Sequence, residues 1–178
     1  AIKTGIGYMT EDRKKDGLAL PMTVERNINL AYIPNLCHWG FINDEAAKQN
    51  AVESIKSLRI KTPSMKQKVQ YLSGGNQQKI VLAKWLCNNI KVLIFDEPTR
   101  GIDVGAKYEV YELMNKLSDE GVAIIMISSE LPEILGMSDR ILVMHGGTIT
   151  GELTREEATQ EKILRYAAGL TNIEERGA

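Results

Sequence analysis

Two short stretches constrain this chain more than any other part of its sequence. Ser73-Gly74-Gly75 stands directly before an amphipathic run, and Asp96-Glu97 follows the unbroken apolar run 92–95, with Asp96 placed 23 residues after Ser73. A serine and two glycines at a helix start predict a turn whose backbone N–H groups can meet an anion. The apolar run predicts a buried strand that carries two carboxylates at its carboxyl end, the edge where open α/β sheets bind ligands.

Composition indicates a soluble, folded domain. The 178 residues are 43% hydrophobic and 25% charged, and they carry a formal net charge of −1, which gives no reason to expect a nucleic-acid partner. Cys37 and Cys87 stand far apart, outside any metal-binding spacing, so we expect packing roles for both thiols in a reducing, cytoplasmic setting. The longest apolar run, 122–127, is too short to cross a bilayer, which takes about 18 residues.

The pattern of the first half predicts one strand followed by a mostly helical segment. We expect a strand at 6–9, a charged loop at 10–17, a short helix at 23–31 and a longer helix that begins at Asn43-Asp44. Residues 17–72 are therefore expected to be predominantly helical.

The second half predicts alternating helices and strands, and then a hairpin. The expected elements are a helix over 77–86, a strand over 92–95 covered on both faces, a helix that stops near Gly121, a second buried strand over 122–127, a helix that begins at Leu131, a hairpin formed by 140–144 and 148–151 around His145-Gly146-Gly147, and a final helix over 155–168. The fold class is therefore α/β, with a mainly parallel sheet, flanking helices, an inserted helical subdomain, and a C-terminal hairpin and helix.

Several motifs together carry a family resemblance that covers essentially the whole chain. They are IGYMTEDRK from Ile6, LSGGNQQKIVLAKWL from Leu72, FDEPTRGIDVGAK from Phe95, ISSELPEILGMSDRILVM from Ile127 and TREEATQE from Thr154. In these motifs the chain resembles the C-terminal nucleotide-binding half of a tandem ATPase subunit of the monosaccharide-importing ABC transporters, the ribose, galactose, xylose and arabinose group. The resemblance implies one partial nucleotide-binding domain over 1–178. Within it, 12–72 forms a helical subdomain with its lead-in loop, and 73–178 holds the signature helix, Walker B strand, D-loop, switch region, hairpin and last helix.

No G-x-x-x-x-G-K-[ST] phosphate loop occurs in the 178 residues, and the sequence starts at Ala1 without a methionine. We interpret the chain as a piece of a longer polypeptide and as an incomplete ATPase domain. For the isolated chain we expect little or no ATP hydrolysis and a tendency to self-associate through exposed sheet edge and apolar surface.

The resemblance implies ATP and Mg²⁺ as cofactors and assigns the site residues. Asp96 would hold Mg²⁺ and Glu97 would polarise the attacking water. Ser73, Gly74, Gly75 and Asn76 would meet a nucleotide held mainly by another nucleotide-binding half, of the same or of a second subunit, and Asp103 would belong to the D-loop that links the two sites. Simpler readings stay open: a strand-end turn for the two acids, an ordinary helix start for the glycines, and a turn residue for Asp103.

Two departures from the family pattern bear on the site around Asp96 and Glu97. Ser129 stands where many such ATPases carry a switch histidine, and it lacks a titratable imidazole. Glu11 stands where a glutamine is usual and adds a negative charge near the expected Mg²⁺ position. We hypothesise that this half's own site is degenerate and that its main contribution is the signature surface.

The resemblance also implies protein partners and a place in the cell. The loop 11–17 and the helices after it would receive a membrane permease subunit, with a periplasmic sugar-binding protein as an indirect partner. The protein would lie on the cytoplasmic face of the membrane. Two alternatives stay open, a non-transport ABC ATPase and a structural or regulatory fragment without nucleotide turnover. Residues 11–14 and 154–161 favour the importer.

Overall fold

The computed structural model describes residues 1–170, which form two compact units, Ala1–Ile127 and a second that begins at Ser128. The first unit contains β1 (Ile6–Met9), α1 (Val24–Asn29), α2 (Ile33–Leu36), β2 (Cys37–His38), β3 (Phe41–Ile42), α3 (Asp44–Ser57), α4 (Gly74–Leu86), β4 (Val92–Asp96), α5 (Val104–Asp119) and β5 (Ala123–Ile127). The second contains α6 (Leu131–Met137), β6 (Arg140–His145), β7 (Thr148–Thr154) and α7 (Gln160–Ala167).

A three-stranded parallel sheet in the order β1-β4-β5 forms the centre of the first unit. Its register pairs Met9 with Phe95 and Asp96 with Ile127, so the carboxyl ends of all three strands reach the same edge. Helix α4 packs on one face: a Cβ added at Gly7 would lie 3.4 Å from the Cβ of Trp85. The α/β class, the parallel sheet and its flanking helices are confirmed.

The two faces of this sheet differ in burial. Leu93 and Phe95 on β4 are fully buried, whereas Ile125 and Ile127 on β5 are about half exposed, at 52% and 49%. The prediction of a second buried strand over 122–127 is therefore wrong: β5 is one of the two edge strands of this sheet, and its face with Ile125 and Ile127 is about half exposed. The prediction that β4 is covered on both faces holds for one face, since Val92 and Ile94 on the other are only partly buried.

The segment between β1 and α4 is less helical than its composition predicts. Residues 13–17, expected as a loop, form a single π-helical turn because the carboxylate of Asp12 accepts hydrogen bonds from the N–H groups of Lys14 and Lys15. Helix α3 begins as expected, with Asn43 capping the N–H of Ala46 at 3.0 Å. Helix α3 ends at Ser57, Arg59 has a left-handed φ of +50°, and the chain from there to α4 is mostly irregular.

The second unit is built on the predicted hairpin. Gly146 and Gly147 have φ values of +56° and +82°, which suit a two-residue turn between twisted antiparallel strands. Its core comprises Ile141, Val143, Leu153 and Ile163.

The last helix, α7, begins at residue 160 rather than at the expected 155. Two polar contacts set that start: the Glu157 carboxylate accepts from the N–H and hydroxyl of Thr154, and Thr159 caps α7.

The structure also bears on the two cysteines and on the expectation that no run crosses a bilayer. Cys87 is partly buried, but Cys37 is exposed on β2, so the packing role expected for both thiols is wrong for Cys37. Within residues 1–170, no helix has the length and apolar character needed to span a bilayer.

Candidate functional site

The two carboxylates lie where β4 ends. Asp96 is the last residue of the strand and is partly buried. Glu97 has a φ of +46°, in the left-handed region that a non-glycine residue occupies at a cost of order 1–3 kcal/mol. Its N–H donates to the carbonyl of Ile127, the last residue of β5, at 2.9 Å. The backbone thus turns sharply at Glu97, at the sheet edge where the sequence predicts a ligand.

Tyr8 contacts the first carboxylate, a pairing that the sequence did not reveal. The Tyr8 hydroxyl donates to Oδ2 of Asp96 at 2.6 Å. This hydrogen bond raises the pKa of Tyr8, because ionising the phenol would place a second negative charge beside the carboxylate. Tyr8 reaches Asp96 because its strand pairs in parallel with β4.

The donor set at this edge fits Mg²⁺ only as part of a larger coordination shell. In residues 1–170 no three His, Cys, Asp or Glu side chains form a metal-binding group. Mg²⁺ is commonly held by one or two carboxylates together with water and phosphate oxygens. Asp96 can supply one such carboxylate, and when bound the ion would neutralise phosphate charge.

The turn before α4 exposes Ser73. Its hydroxyl makes no capping bond to the backbone; instead it accepts from the side-chain amide of Asn76 at 2.8 Å. The other end of that amide, Oδ1, accepts from the N–H of Lys61 at 2.7 Å. Ser73 therefore does not cap α4 through its side chain, and Asn76 holds the serine hydroxyl in place.

The backbone at the start of α4 has the amides expected of an anion-binding turn. The N–H of Gln77 donates to the carbonyl of Ser73 at 2.9 Å. Amides that precede the first donor of a helix have no acceptor within that helix. Those of Gly74, Gly75 and Asn76 are in this position, and the helix dipole adds positive potential there.

Both glycines are also constrained by protein neighbours. A Cβ added at Gly74 would stand 2.7 Å from Nη2 of Arg13, and one added at Gly75 would stand 3.1 Å from the Cβ of Ala106 on α5. Glycine at these positions thus permits close packing within the chain as well as approach of a phosphate.

Arg13 and Glu11 connect the segment after β1 to the strand-end turn, which we define as residues 97–103. Arg13 donates to the carbonyls of Arg100 at 3.1 Å and Gly101 at 3.3 Å. Glu11 forms an ion pair with the Arg100 side chain. Glu11 does place a negative charge near this edge, and the ion pair with Arg100 offsets it.

Asp103 caps α5. Its carboxylate accepts from the N–H of Ala106 at 3.0 Å, and its backbone is extended. The side chain expected in the D-loop therefore also holds the start of the helix against which Gly75 packs.

Ser129 belongs to the second unit and is exposed, two residues after the end of β5. The neighbouring Ser128 hydroxyl, which the sequence did not single out, donates to the Glu133 carboxylate and accepts from the N–H of Glu130. These bonds fix the start of α6.

Comparison with known proteins places the chain in a family. The family model described as "ABC transporter" matches residues 1–100. The xylose import ATP-binding protein XylG of Thermoanaerobacter pseudethanolicus is 60% identical over 169 residues, and the ribose import ATP-binding protein RbsA of Oceanobacillus iheyensis is 56% identical over 169 residues. In each case the alignment takes in 95% of this chain and 34% of the relative. The chain thus spans about a third of the length of these curated relatives.

Solved structures show the same fold. The ATP-binding cassette MJ1267 in its ADP conformation superposes with a TM-score of 0.72 and 21% identity, over 94% of this chain and 70% of that one. The dimeric cassette MJ0796, bound to ADP and Pi in a post-hydrolysis state, superposes with a TM-score of 0.71 and 23% identity, over 84% of this chain and 62% of that one. A cassette fold and a family match over more than half of the sequence agree with the motifs, and the chain belongs to the ABC transporter family.

Proposed function

We propose that this chain is part of the ATP-binding subunit of a monosaccharide importer, and that it presents Ser73-Gly74-Gly75 to an ATP·Mg²⁺ held by another nucleotide-binding half. The observation that carries the proposal is the exposed serine at the head of α4, beside backbone amides that have no acceptor within the helix. A phosphate accepting such bonds gains about 1.5–3 kcal/mol from each.

The importer assignment is supported by the relatives. Two of them, at 60% and 56% identity, are xylose and ribose import ATP-binding proteins. By analogy, a membrane permease subunit would dock near residues 11–17, a periplasmic sugar-binding protein would act through that permease, and the subunit would lie on the cytoplasmic face of the membrane. The MJ0796 cassette is dimeric, which supports a second nucleotide-binding half as the partner.

The site at Asp96 and Glu97 is proposed as the weaker of the two nucleotide sites. Ser129 in the switch position offers no imidazole to a γ-phosphate. Asp96 would contribute one ligand to Mg²⁺ and Glu97 would orient water there, while the chain's larger contribution to turnover would come through Ser73.

The test compares two variants in the intact ATP-hydrolysing assembly, with phosphate release as the measurement. Ser73→Arg places a bulky cation where the phosphate would sit and should abolish turnover, whereas Glu97→Gln should leave much of it. Ser118→Arg and Glu112→Gln, which make the same changes at exposed positions of α5, serve as controls. The opposite ranking of Ser73→Arg and Glu97→Gln would overturn the proposed division of labour.

A further inference from the structure

We propose that Arg13 is a positioning residue that locks the strand-end turn, residues 97–103, to the start of α4. One guanidinium group touches both elements. It donates to the carbonyls of Arg100 and Gly101. Its Nη2 packs so close to Gly74 that a Cβ added there would lie 2.7 Å from that nitrogen.

The contact is close and partly desolvated. Arg13 is half-buried, and burial lowers the pKa of its guanidinium. The carbonyl of Gly101 would also lie 3.4 Å from the Gly74 Cβ position. Two carbonyls, one planar cation and one glycine therefore meet at a single point, and a planar fork with several donors suits this geometry better than the single head of a lysine.

Two other contacts brace the same junction. The Glu11 carboxylate pairs with the side chain of Arg100, so two side chains of the segment after β1 hold one residue of the turn. From the α4 side, the buried side-chain amide of Gln78 donates to the carbonyl of Pro98 at 3.0 Å. The turn is therefore held from two directions. Of the side chains of Glu11, Arg13 and Gln78, only that of Arg13 contacts both the turn and Gly74, the first residue of α4.

The consequence is mechanical. Because the guanidinium packs against Gly74, a shift of Ser73-Gly74-Gly75 would press on it, and its two hydrogen bonds would pass that shift to the carbonyls of Arg100 and Gly101. This consequence rests on the proposed function where it concerns ATP: contact between the glycines and a phosphate would bias the position of Glu97. The lock itself needs no nucleotide, so it can be tested separately.

The experiment is amide hydrogen exchange, read residue by residue by NMR on the 178-residue chain without nucleotide. The reporters are the N–H of Arg100, bonded to Glu97 within the turn, and the N–H of Gln77, bonded to Ser73 at the start of α4. The N–H of Ala46, capped by Asn43 on α3, is the control amide. Arg13→Ala should raise exchange at both reporters by roughly tenfold and leave Ala46 unchanged. Lys14→Ala, the neighbouring exposed cation, should change none of the three.

A second variant approaches the lock from the other side. Gly74→Ala keeps Arg13 but displaces its guanidinium with the added methyl group, so exchange at Arg100 should rise although the substitution lies on α4. In an Arg13→Ala background, Gly74→Ala should add nothing further at Arg100.

Three results would overturn the inference: exchange that rises at only one reporter in Arg13→Ala, exchange at Arg100 that stays unchanged in Gly74→Ala, or effects of the two substitutions that simply add. If Arg13→Ala does not fold, the Gly74→Ala result at Arg100 decides. None of these results bears on ATP turnover by the intact assembly, so the failure of the lock and the failure of the proposed function are separate findings.

Discussion

Removing the Tyr8 hydroxyl tests whether the carboxylate at the end of β4 is held by its neighbouring strand. Tyr8→Phe deletes one oxygen and leaves the ring on β1, so the 2.6 Å hydrogen bond to Asp96 is lost. Tyr108→Phe, on the exposed side of α5, is the matched control.

The magnitude follows from the bond and its exposure. A hydrogen bond to a charged group contributes about 1.5–3 kcal/mol when it is sheltered from water. Tyr8 is 43% exposed, so solvent competes for both partners, and the contribution should fall to about 0.5–1 kcal/mol. We therefore expect Tyr8→Phe to lower the free energy of unfolding by that amount at pH 7.

The pH dependence has a definite sign. The pKa of Tyr8 is raised in the folded chain, chiefly by the bond to Asp96. Below the ordinary tyrosine pKa of about 10 the phenol is protonated whether the chain is folded or unfolded, so the stabilisation is complete there. As the pH rises through the raised pKa the stabilisation is lost.

The coupling free energy between the two side chains is measured by urea unfolding at pH 7 and at pH 11. The four proteins compared are the wild type, Tyr8→Phe, Asp96→Ala and the double variant. A coupling near zero at pH 7 would refute the argument. So would one that stays the same at pH 11.

Three other predictions concern packing and charge. Gly75→Ala should cost about 1 kcal/mol of unfolding free energy, because its methyl group would crowd Ala106; an unchanged urea midpoint would contradict this. Ala106→Gly costs α5 about 1 kcal/mol by itself, so the relief of crowding should appear as a smaller effect of Gly75→Ala in the Ala106→Gly background. Ile141→Ala in the second unit should cost about 2–5 kcal/mol in thermal or urea unfolding, and Leu142→Ala, on the exposed face of the same strand, less than about 0.5; equal losses would rule out the core assignment. Burial lowers the pKa of Lys84. Between that lowered pKa and the ordinary value of about 10.4, Lys84 is protonated only in the unfolded chain, so the free energy of unfolding should rise with pH. Lys84→Met should remove this pH dependence, as measured by urea unfolding at several pH values.

The elements that the sequence predicted well are those set by local pattern. The apolar run 92–95 and the serine and glycines at 73–75 each fix a structure within a few residues. Strand β4 formed where expected, and α4 ends as expected but begins at Gly74 instead of at 77. The parallel direction of the strands followed as well, because helices that alternate with strands require parallel neighbours.

The exposure of β5 and the contacts of Tyr8 could not be predicted from the local sequence pattern. An apolar strand reads alike at the centre and at the edge of a sheet, and only the strand order places Ile125 on an edge. Likewise Tyr8 reads as an ordinary strand residue until its register against β4 brings its hydroxyl to Asp96.

The candidate site shows a third kind of difference, competition between polar groups. A serine before a helix predicts a bond to the backbone, yet Asn76 is close enough to take the same oxygen. Glu11 reads as a lone charge until Arg100, 89 residues later, approaches it. Nothing in the spacing of these residues indicates which partner is preferred.

The packing around Gly74 and Gly75 has a consequence for how related sequences are interpreted. The Arg13 guanidinium crowds Gly74 and the Ala106 methyl group crowds Gly75, so packing alone would favour glycine at both positions in a related chain that binds no nucleotide. In such a chain an intact glycine pair would reflect packing and not nucleotide binding. Substitution would be expected first at Ser73, because its side chain is exposed.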